Sequence, residues 1–323
     1  MKIACHVDDL LLISSSRKVC DGFLRYLRGV VHEVKEFHDN IIYLGVTIKR
    51  DRALRKIYLS QPMYVDAIIN QLLLPNEKGS KFPIKSGSGF GEDGMKRNRA
   101  INDQIGKLRF LADRTRPDLL YHLSILSRFM ANPNDEVLLE LNRFIRYIKF
   151  TRDKVLTVGS TQPINLFGMS DASYVQIGDC RSQLGYMIFL SSDSAPVYCR
   201  SKRADTVSLS STQAEVDALV ELVKEIIWCQ GFLDSVGIEV SAPTDLFTDN
   251  QPTVTLAADG NHLRRSKHYV VKTTFIKEQV ELGVVNVKHV PGLENHPDIL
   301  TKPLCGRLLD YHTTATLGLP LPS

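Results

Sequence analysis

Asn165-Leu-Phe-Gly-Met-Ser-Asp171-Ala-Ser-Tyr174 is a mostly apolar run that ends on an aspartate followed by small and polar residues. An apolar run of this length predicts a buried strand, and the small residues after it predict a turn. We therefore expect Asp171 where a strand leaves the core, a position that can hold a metal ligand rigidly.

A second apolar strand, Leu246-Phe-Thr-Asp249-Asn250, also ends in an aspartate. Before it, residues 164–170, 184–190 and 195–201 are predicted to form an antiparallel meander, and a long helix is predicted from 207 to 236. Strands followed by alternating strands and helices predict a mixed α/β domain with one central sheet. If the two aspartate-bearing strands are neighbours, both carboxylates lie at one edge of that sheet.

Two further acids, Glu215 and Asp298, lie near predicted helix starts, and each has a structural alternative. Thr212-x-x-Glu215 matches a capping box, in which the glutamate only binds the helix end, whereas Ser210-x-x-Gln213 offers an equally good box that leaves Glu215 free. Asp298 can serve as an N-terminal acid favoured by the helix dipole. The sequence leaves the two alternatives for Glu215 open, whereas for Asp298 taken alone it favours the role at the helix end.

Four converging carboxylates, Asp171, Glu215, Asp249 and Asp298, repel one another unless a cation compensates their charge. Hard oxygen ligands suit Mg²⁺ (or Mn²⁺). Two such ions about 4 Å apart can clamp the attacking and leaving oxygens of a phosphodiester displacement. The four acids therefore predict a two-metal hydrolase.

A cationic segment lies between Asp259 and Glu278, with His262 and His268 among its basic residues. Positive charge beside a metal centre suits a polyanionic substrate, and no aromatic run predicts base stacking, so backbone tracking is expected. The residues predicted to contact nucleic acid are Arg264, Arg265, Lys267, His268 and Lys272.

The first part of the chain begins with a predicted hairpin over residues 3–13, which carries Asp8 and Asp9 at its tip. Paired carboxylates at a turn can hold a divalent metal, and the alternative is an ordinary aspartate-containing turn. Further predicted elements are a helix over 15–30, a hairpin of 41–48 and 56–60, a helix from 62 to about 74, and a Gly-, Ser-, Pro- and Lys-rich linker over 75–94.

Three helices are predicted next, over residues 102–114, 117–130 and 135–150. Their apolar stripes at helical spacing predict core packing, and the arginines on them, including Arg116, are expected on solvated faces.

Composition limits the class of protein. With 323 residues, 43% hydrophobic and 24% charged, the chain has the composition of a soluble globular protein of two or three domains, and its net charge of +4 does not by itself indicate a nucleic-acid binder. Six scattered cysteines without a Cys-x-x-Cys pair argue against a zinc cluster or a disulfide framework. No apolar run approaches the roughly 20 residues of a membrane span, so no membrane partner is predicted, and cytoplasm and nucleus both remain open.

The ordered motifs resemble the carboxyl-terminal part of copia-type LTR retrotransposon Pol polyproteins over about residues 3–305. In the second half, the ribonuclease H-like motifs are Ser170-Asp-Ala-Ser173, Ser208-Leu-Ser-Ser-Thr-Gln-Ala-Glu215, Thr248-Asp-Asn250, His262…Arg265-x-Lys-His268 and Asp298-Ile-Leu-Thr-Lys-Pro-Leu304. Upstream, the motifs that resemble the end of the reverse transcriptase and its connection are Val7-Asp-Asp-Leu10, Tyr43-Leu-Gly45, Ile105-Gly-Lys-Leu108 and Thr115-Arg-Pro-Asp118…Leu126-Ser-Arg-Phe-Met130.

The resemblance implies an α/β (α+β) chain in four parts. These are a partial reverse transcriptase palm over 1–75, a linker and helical thumb or connection region over 76–152, a ribonuclease H-like domain over 153–305 and a tail over 306–323. It also implies metal ligation by the four acids and cleavage of RNA in RNA–DNA hybrids. Asp8 and Asp9 would be two carboxylates of the polymerase palm, and residues 41–60 would grip the primer end.

Two departures from the family pattern accompany the resemblance. His6 replaces the usual aromatic residue before Val-Asp-Asp, and Pro297 replaces a small residue before Asp298. The chain also starts at the Asp8-Asp9 hairpin, so the palm strand with the remaining aspartate is expected upstream and polymerase activity is expected to be lost.

Two hypotheses follow from the resemblance. The first is a ribonuclease H enzyme, with the upstream polymerase part or a second copy of the polyprotein as partner, in cytoplasmic virus-like particles or the nucleus. The second is an inactive retroelement remnant that at most binds nucleic acid.

Overall fold

The computed structural model describes residues 1–85, 90, 99–174, 180–258 and 267–319, with the backbone alone at 99–100 and 267–269. The chain starts with the predicted hairpin: strands β1 (Lys2–His6) and β2 (Asp9–Ile13) pair antiparallel, with His6 opposite Asp9. Helix α1 (Arg17–Val30) follows and buries no residue.

A four-stranded antiparallel sheet comes next. Its strands are β3 (Asn40–Tyr43), β4 (Val46–Asp51), β5 (Lys56–Ser60) and β6 (Leu156–Val158). The single strand predicted over 41–48 is wrong, because the chain turns at Leu44 and Gly45, where φ is 49° and 77°. Two positive φ values make a tight hairpin turn, and glycine adopts such a φ without steric cost.

Strand β6 lies within the predicted ribonuclease H-like range of 153–305 but belongs to the four-stranded sheet. β6 pairs with β5, about a hundred residues earlier in sequence. Lys56 supports this junction, since its Nζ donates to the carbonyl oxygens of Gly159 and Asp193, each at 2.6 Å.

The helical region is close to its prediction. It consists of α2 (Pro62–Leu72), α3 (Arg99–Arg114), α4 (Leu120–Ser127) and α5 (Asp135–Phe150). The helix predicted over 117–130 is shorter than expected: a 3₁₀ turn, Pro117–Leu119, precedes α4, which ends at Ser127.

Arg116 is a correction to the expectation of solvated arginines. Its guanidinium is buried and binds both carboxylate oxygens of Asp118, at 2.8 and 2.7 Å, and the carbonyl oxygen of Thr151 at 3.0 Å. The Thr115-Arg-Pro-Asp118 motif therefore fastens the start of α4 to the end of α5. A buried ion pair is tolerated only when it is hydrogen-bonded in this way.

The central sheet has five strands in the order β11-β10-β7-β8-β9. They are β7 (Phe167–Ser173), β8 (Gln183–Phe189), β9 (Tyr198–Arg203), β10 (Thr244–Thr248) and β11 (Val285–His289). β7, β8 and β9 form the predicted antiparallel meander, whereas β10 runs parallel to both β7 and β11. The sheet is therefore mixed, and the two aspartate-bearing strands are direct neighbours.

Both faces of the central sheet are covered. The helices α6 (Ser211–Ser235), α7 (Gln251–Ala258) and α8 (Lys267–Glu281) share one apolar core with the sheet, in which Leu219, Leu246 and Ile276 are buried. The opposite core joins Met187 of the sheet to α3, α4 and α5. It also includes Leu300 of the 3₁₀ helix His296–Leu300, which we call the Asp298 helix, and Leu309 of α9 (Gly306–Thr316).

Helix α9 lies in the segment predicted as a tail. Leu309, His312 and Thr313 are buried, and α9 packs on the Asp298 helix. The domain boundaries stay predictions, but β5 of the first predicted part pairs with β6 of the third, and α9 packs on the third from beyond residue 305. No helix in the described ranges is long and apolar enough to cross a lipid bilayer.

Candidate functional site

Asp171 lies inside β7 rather than at its end, which corrects the prediction. The strand continues to Ser173, because Ala172 and Ser173 still pair with Leu184 and Gln183 of β8. The small residues after Asp171 were predicted to form a turn, but they continue the strand. Ala172 packs there against Ala214 and Ala218 of α6. Asp171 is only 1% exposed, so its carboxylate lies in a protein-lined centre rather than on a turn.

The first turn of α6 positions Glu215. Ser210 caps the helix by accepting from the Gln213 backbone N–H at 3.2 Å, and the Gln213 side chain accepts from the Leu209 N–H at 2.9 Å. The Ser210-x-x-Gln213 alternative is therefore the one adopted, and Glu215 is free of capping.

Three of the four predicted acids come together. Asp171, Glu215 and Asp249 each offer a carboxylate oxygen, and these three atoms lie within 4.8 Å of one another. Asp249 follows the last residue of β10, as predicted, and β10 pairs with β7, which brings it beside Asp171.

Asp298 joins the cluster through a lysine. Lys302 Nζ lies 2.6 Å from Asp298 Oδ1 and 3.3 Å from Asp171 Oδ1. The sequence argument assumed that no protein cation compensates the acids, and Lys302 shows that one does.

Asp171 is further held by neutral donors. The Thr301 hydroxyl donates to Asp171 Oδ2, and Asn295 Nδ2 lies 3.5 Å from Asp171 Oδ1 and 3.2 Å from the Ser170 carbonyl oxygen. The Asp298 helix and the residues that flank it thus hold Asp171 through several polar contacts.

The pKa values of three acids are raised because the carboxylates are buried close to one another. Burial, then the charges of Asp171 and Asp249, raises the pKa of Glu215 to about 9. Burial and Asp171 also raise the pKa of Asp249, and they raise that of Asp298 to about 6. Burial would lower the pKa of Lys302, but Asp171 and Asp298 outweigh it and raise that pKa, so Lys302 stays charged.

Divalent metal fits this donor set. Glu215 is 6% exposed, and its Oε2 is buried without a hydrogen-bond partner in the part of the chain that the structure describes. A buried polar oxygen without a donor is costly, and hard carboxylate oxygens are the ligands that Mg²⁺ and Mn²⁺ prefer. Asp171, Glu215 and Asp249 are therefore the residues that can hold such an ion.

The predicted polymerase pair is not part of this centre. Asp8 and Asp9 lie at the exposed tip of the β1–β2 hairpin, as expected from the sequence. Within the described ranges, no third carboxylate, histidine or cysteine joins them at metal-binding spacing.

Most side chains of the predicted nucleic-acid contacts lie outside the part of the chain that the structure describes. Arg264 and Arg265, with His262, lie outside the described residues, and Lys267 and His268 are described by backbone alone, at the start of α8. Lys272 is engaged within the protein, since its Nζ lies 2.8 Å from Oδ1 of the buried Asp217.

Sequence reasoning missed four residues of this centre: Asn295, Thr301, Lys302 and His289. His289 ends β11, and its Nε2 lies 3.2 Å from the carbonyl oxygen of Asp249. The spacing of Lys302, four residues after Asp298, places the two side chains on one side of a helical turn and could have indicated their pairing.

Comparison with known proteins agrees with the fold and the motifs. No family model matches the chain. It is 27% identical over 328 residues to a retrovirus-related Pol polyprotein from transposon TNT 1-94 of Nicotiana tabacum, covering 95% of this chain and 24% of the relative. It is 30% identical over 308 residues to the corresponding polyprotein from transposon RE2 of Arabidopsis thaliana, covering 93% and 20%. The Transposon Ty1-MR1 Gag-Pol polyprotein of Saccharomyces cerevisiae is 25% identical over 327 residues, covering 94% and 18%.

This chain belongs to the copia-type retrotransposon Pol polyproteins. The predicted family, with the chain as the carboxyl-terminal part of such a polyprotein, is confirmed. The chain spans about a fifth of the length of the relatives it matches.

Two solved structures are similar to this Pol chain, and the first of them supports its fold. The foamy viral protease–reverse transcriptase in complex with an RNA/DNA hybrid has a TM-score of 0.50 at 12% identity, covering 91% of this chain and 36% of that one. LC11-RNase H1, isolated from compost, has a TM-score of 0.33 at 17% identity, covering 42% and 92%. The predicted fold class, α/β with a mixed sheet flanked by helices, is confirmed.

Proposed function

We propose that this Pol chain hydrolyses the RNA strand of RNA–DNA hybrids in a reaction that depends on divalent metal. The observation that carries the proposal is the Glu215 carboxylate, which is buried beside Asp171 and Asp249 with one oxygen lacking a donor. Three such crowded acids oppose folding through their mutual repulsion and their burial unless cations compensate them.

The acids would act as ligands that present metal to a scissile phosphate. Divalent cations, when bound, supply an activated water and neutralise the departing oxygen, and the sequence-based prediction is that two ions share this work. Asp171, Glu215 and Asp249 would hold the first ion, and Asp171 with Asp298, which now contact Lys302, would hold the second. No side chain in this arrangement needs to become a covalent nucleophile.

An RNA–DNA hybrid is the substrate that the comparisons favour. The foamy viral enzyme of similar fold was solved with an RNA/DNA hybrid. In our proposal Arg264, Arg265, Lys267 and His268 contact the sugar–phosphate backbone, which positions a duplex without reading its sequence. Lys272 takes part only if it leaves Asp217.

Cleavage of a labelled RNA–DNA hybrid in Mg²⁺ or Mn²⁺ tests the proposal. Asp249→Asn should lower the rate at least about 100-fold, because it removes a proposed ligand from the cluster. Asp245→Asn, on the same strand but paired with Lys288, is the matched control and should cleave at the wild-type rate. Equal rates in wild type and Asp249→Asn, or cleavage in excess EDTA, would contradict the proposal, and hybrid binding without cleavage would favour the inactive remnant.

We also propose that this 323-residue chain alone does not extend a primer. Asp8 and Asp9 sit on an exposed hairpin with no third metal-spaced ligand in the part described, and residues 1–60 bury no side chain. A primer–template assay with Mg²⁺ and deoxynucleotides should give no extension product. Extension that disappears in Asp8→Asn would overturn this proposal and leave the ribonuclease proposal intact.

A further inference from the structure

Lys302 fills the space between the first and the fourth acid of the cluster. Its Nζ contacts Oδ1 of Asp171 at 3.3 Å and Oδ1 of Asp298 at 2.6 Å. A second divalent ion shared by these two carboxylates would have to lie where the ammonium lies. Lys302 is covalently part of the chain, so this cation is present at every metal concentration.

The donors around the cluster are arranged unevenly. On the Asp298 side, the protein satisfies Asp171 with the Thr301 hydroxyl, the Asn295 amide and the Lys302 ammonium. Glu215 Oε2, by contrast, is buried and has no donor within the described residues. The direct donors are therefore concentrated on Asp171 and Asp298, and Glu215 keeps one oxygen open to an external cation.

We propose that Lys302 is a built-in cation at the second metal position, so that the substrate-free chain takes one divalent ion, at Asp171, Glu215 and Asp249. A second ion can bind Asp171 and Asp298 only after the Lys302 side chain has moved away, because a dication and an ammonium repel each other strongly at such short distances. The flexible four-carbon stem of lysine allows that movement. The inference rests on the proposed metal-dependent function for the first ion.

Counting bound Mn²⁺ tests this inference on the full chain without nucleic acid. Titration followed by electron paramagnetic resonance of free Mn²⁺ should give one tight ion per wild-type chain. Lys302→Met removes the charge and should raise the number to two, whereas Lys302→Arg keeps a cation and should stay at one. Lys302→Gln, with circular dichroism as the check on folding, replaces the methionine variant if that one does not fold.

The possible outcomes separate this inference from the proposed function. Two ions on the wild type, or one on a folded Lys302→Met or Lys302→Gln chain, overturn the role of Lys302. A wild type that binds no Mn²⁺ and cleaves no hybrid overturns the proposed function itself. Asp298→Asn should remain at one ion, since Lys302 is still present, and loss of the ion in Asp249→Asn identifies the first position. If Lys302 had only a structural role, replacing it with methionine or glutamine would leave the count at one ion per chain.

Discussion

At the residue scale, Gly185 lets the Asp298 helix pack close to the acid cluster. It lies opposite Asp171 in the β7–β8 register, and the Asp298 helix crosses over it. A Cβ at this position would come 2.7 Å from Thr301 Cγ2 and 2.8 Å from Leu300 Cβ, closer than such atoms approach in proteins. The absence of a side chain at 185 is therefore what brings Thr301 and Lys302 to Asp171.

We predict that Gly185→Ala displaces the Asp298 helix and weakens both stability and cleavage. Overpacking of this kind costs about 1–3 kcal/mol, and here it would move the helix whose flank holds Asp171. Urea unfolding and the hybrid-cleavage assay measure the two effects.

Gly106→Ala is the matched control, because a Cβ there meets no atom within 4 Å. Gly106 lies inside α3, so alanine should stabilise the chain by up to about 1 kcal/mol and leave cleavage unchanged. A Gly185→Ala chain that is as stable and active as the wild type would show that the Asp298 helix adjusts freely.

The acids were predictable from the sequence and their surroundings were not. Asp171 and Asp249 follow apolar strands, which is a strong local pattern, and the structure makes these strands neighbours. The contacts of Thr301 and Asn295 depend on a short 3₁₀ helix that crosses a glycine on another strand. No pattern within the local sequence carries that information.

At the element scale, the spacing of apolar residues predicted helices and strands correctly where the apolar side chains face the core. Helix α5 has the bounds predicted for it, its apolar stripe faces the core, and Asn134 caps it. The strand predicted over 41–48 failed at Leu44, a residue that rarely takes a positive φ. Helix α4 is buried around its whole circumference: every residue from Leu120 to Leu126 is buried, His122 and Ser124 included.

His122 makes α4 sensitive to acid. Burial lowers the pKa of His122 from 6.5 to about 3, and the charge of Asp118 opposes this only in part. The folded chain keeps the ring neutral, whereas the unfolded chain binds a proton below pH 6.5. The part of the unfolding free energy that depends on this lowered pKa is fully present above pH 6.5. It is lost as the pH falls toward 3, at up to about 1.4 kcal/mol per pH unit.

We predict that His122→Leu reduces this acid sensitivity. Neither ring nitrogen has a hydrogen-bond partner in the described structure, so leucine removes the titrating group without leaving a donor unpaired. Between pH 8 and pH 5, the free energy of unfolding in urea should fall by about 2 kcal/mol less in the variant than in the wild type. His32→Leu, at an exposed residue, should behave as the wild type does, and an identical pH dependence in His122→Leu would contradict the prediction.

At the scale of the whole molecule, one core joins parts of the chain that the sequence separated. The core contains Leu108 of α3, Phe144 of α5, Met187 of β8 and Leu309 of α9. These residues are up to two hundred positions apart, and pairing at such a distance leaves no periodic pattern for sequence reasoning to find. Residues 1–60 contribute no buried side chain, so cooperative stability belongs to the rest of the chain.

This shared core predicts that damage in the segment expected as a tail destabilises the domain of the central sheet and the helical region together. Leu309→Ala removes a side chain that is 2% exposed and should cost about 2–5 kcal/mol. Fluorescence of Trp228, on α6, should report a urea midpoint shifted to lower concentration, and hydrogen exchange in α5 and α6 should accelerate by the same factor. Leu139→Ala, at a 61% exposed position of α5, is the control and should change neither. If Leu309→Ala speeds exchange only within α9 while α5 and α6 keep wild-type protection, the core does not act as one unit, and the predicted boundary at residue 305 separates independent parts of the protein.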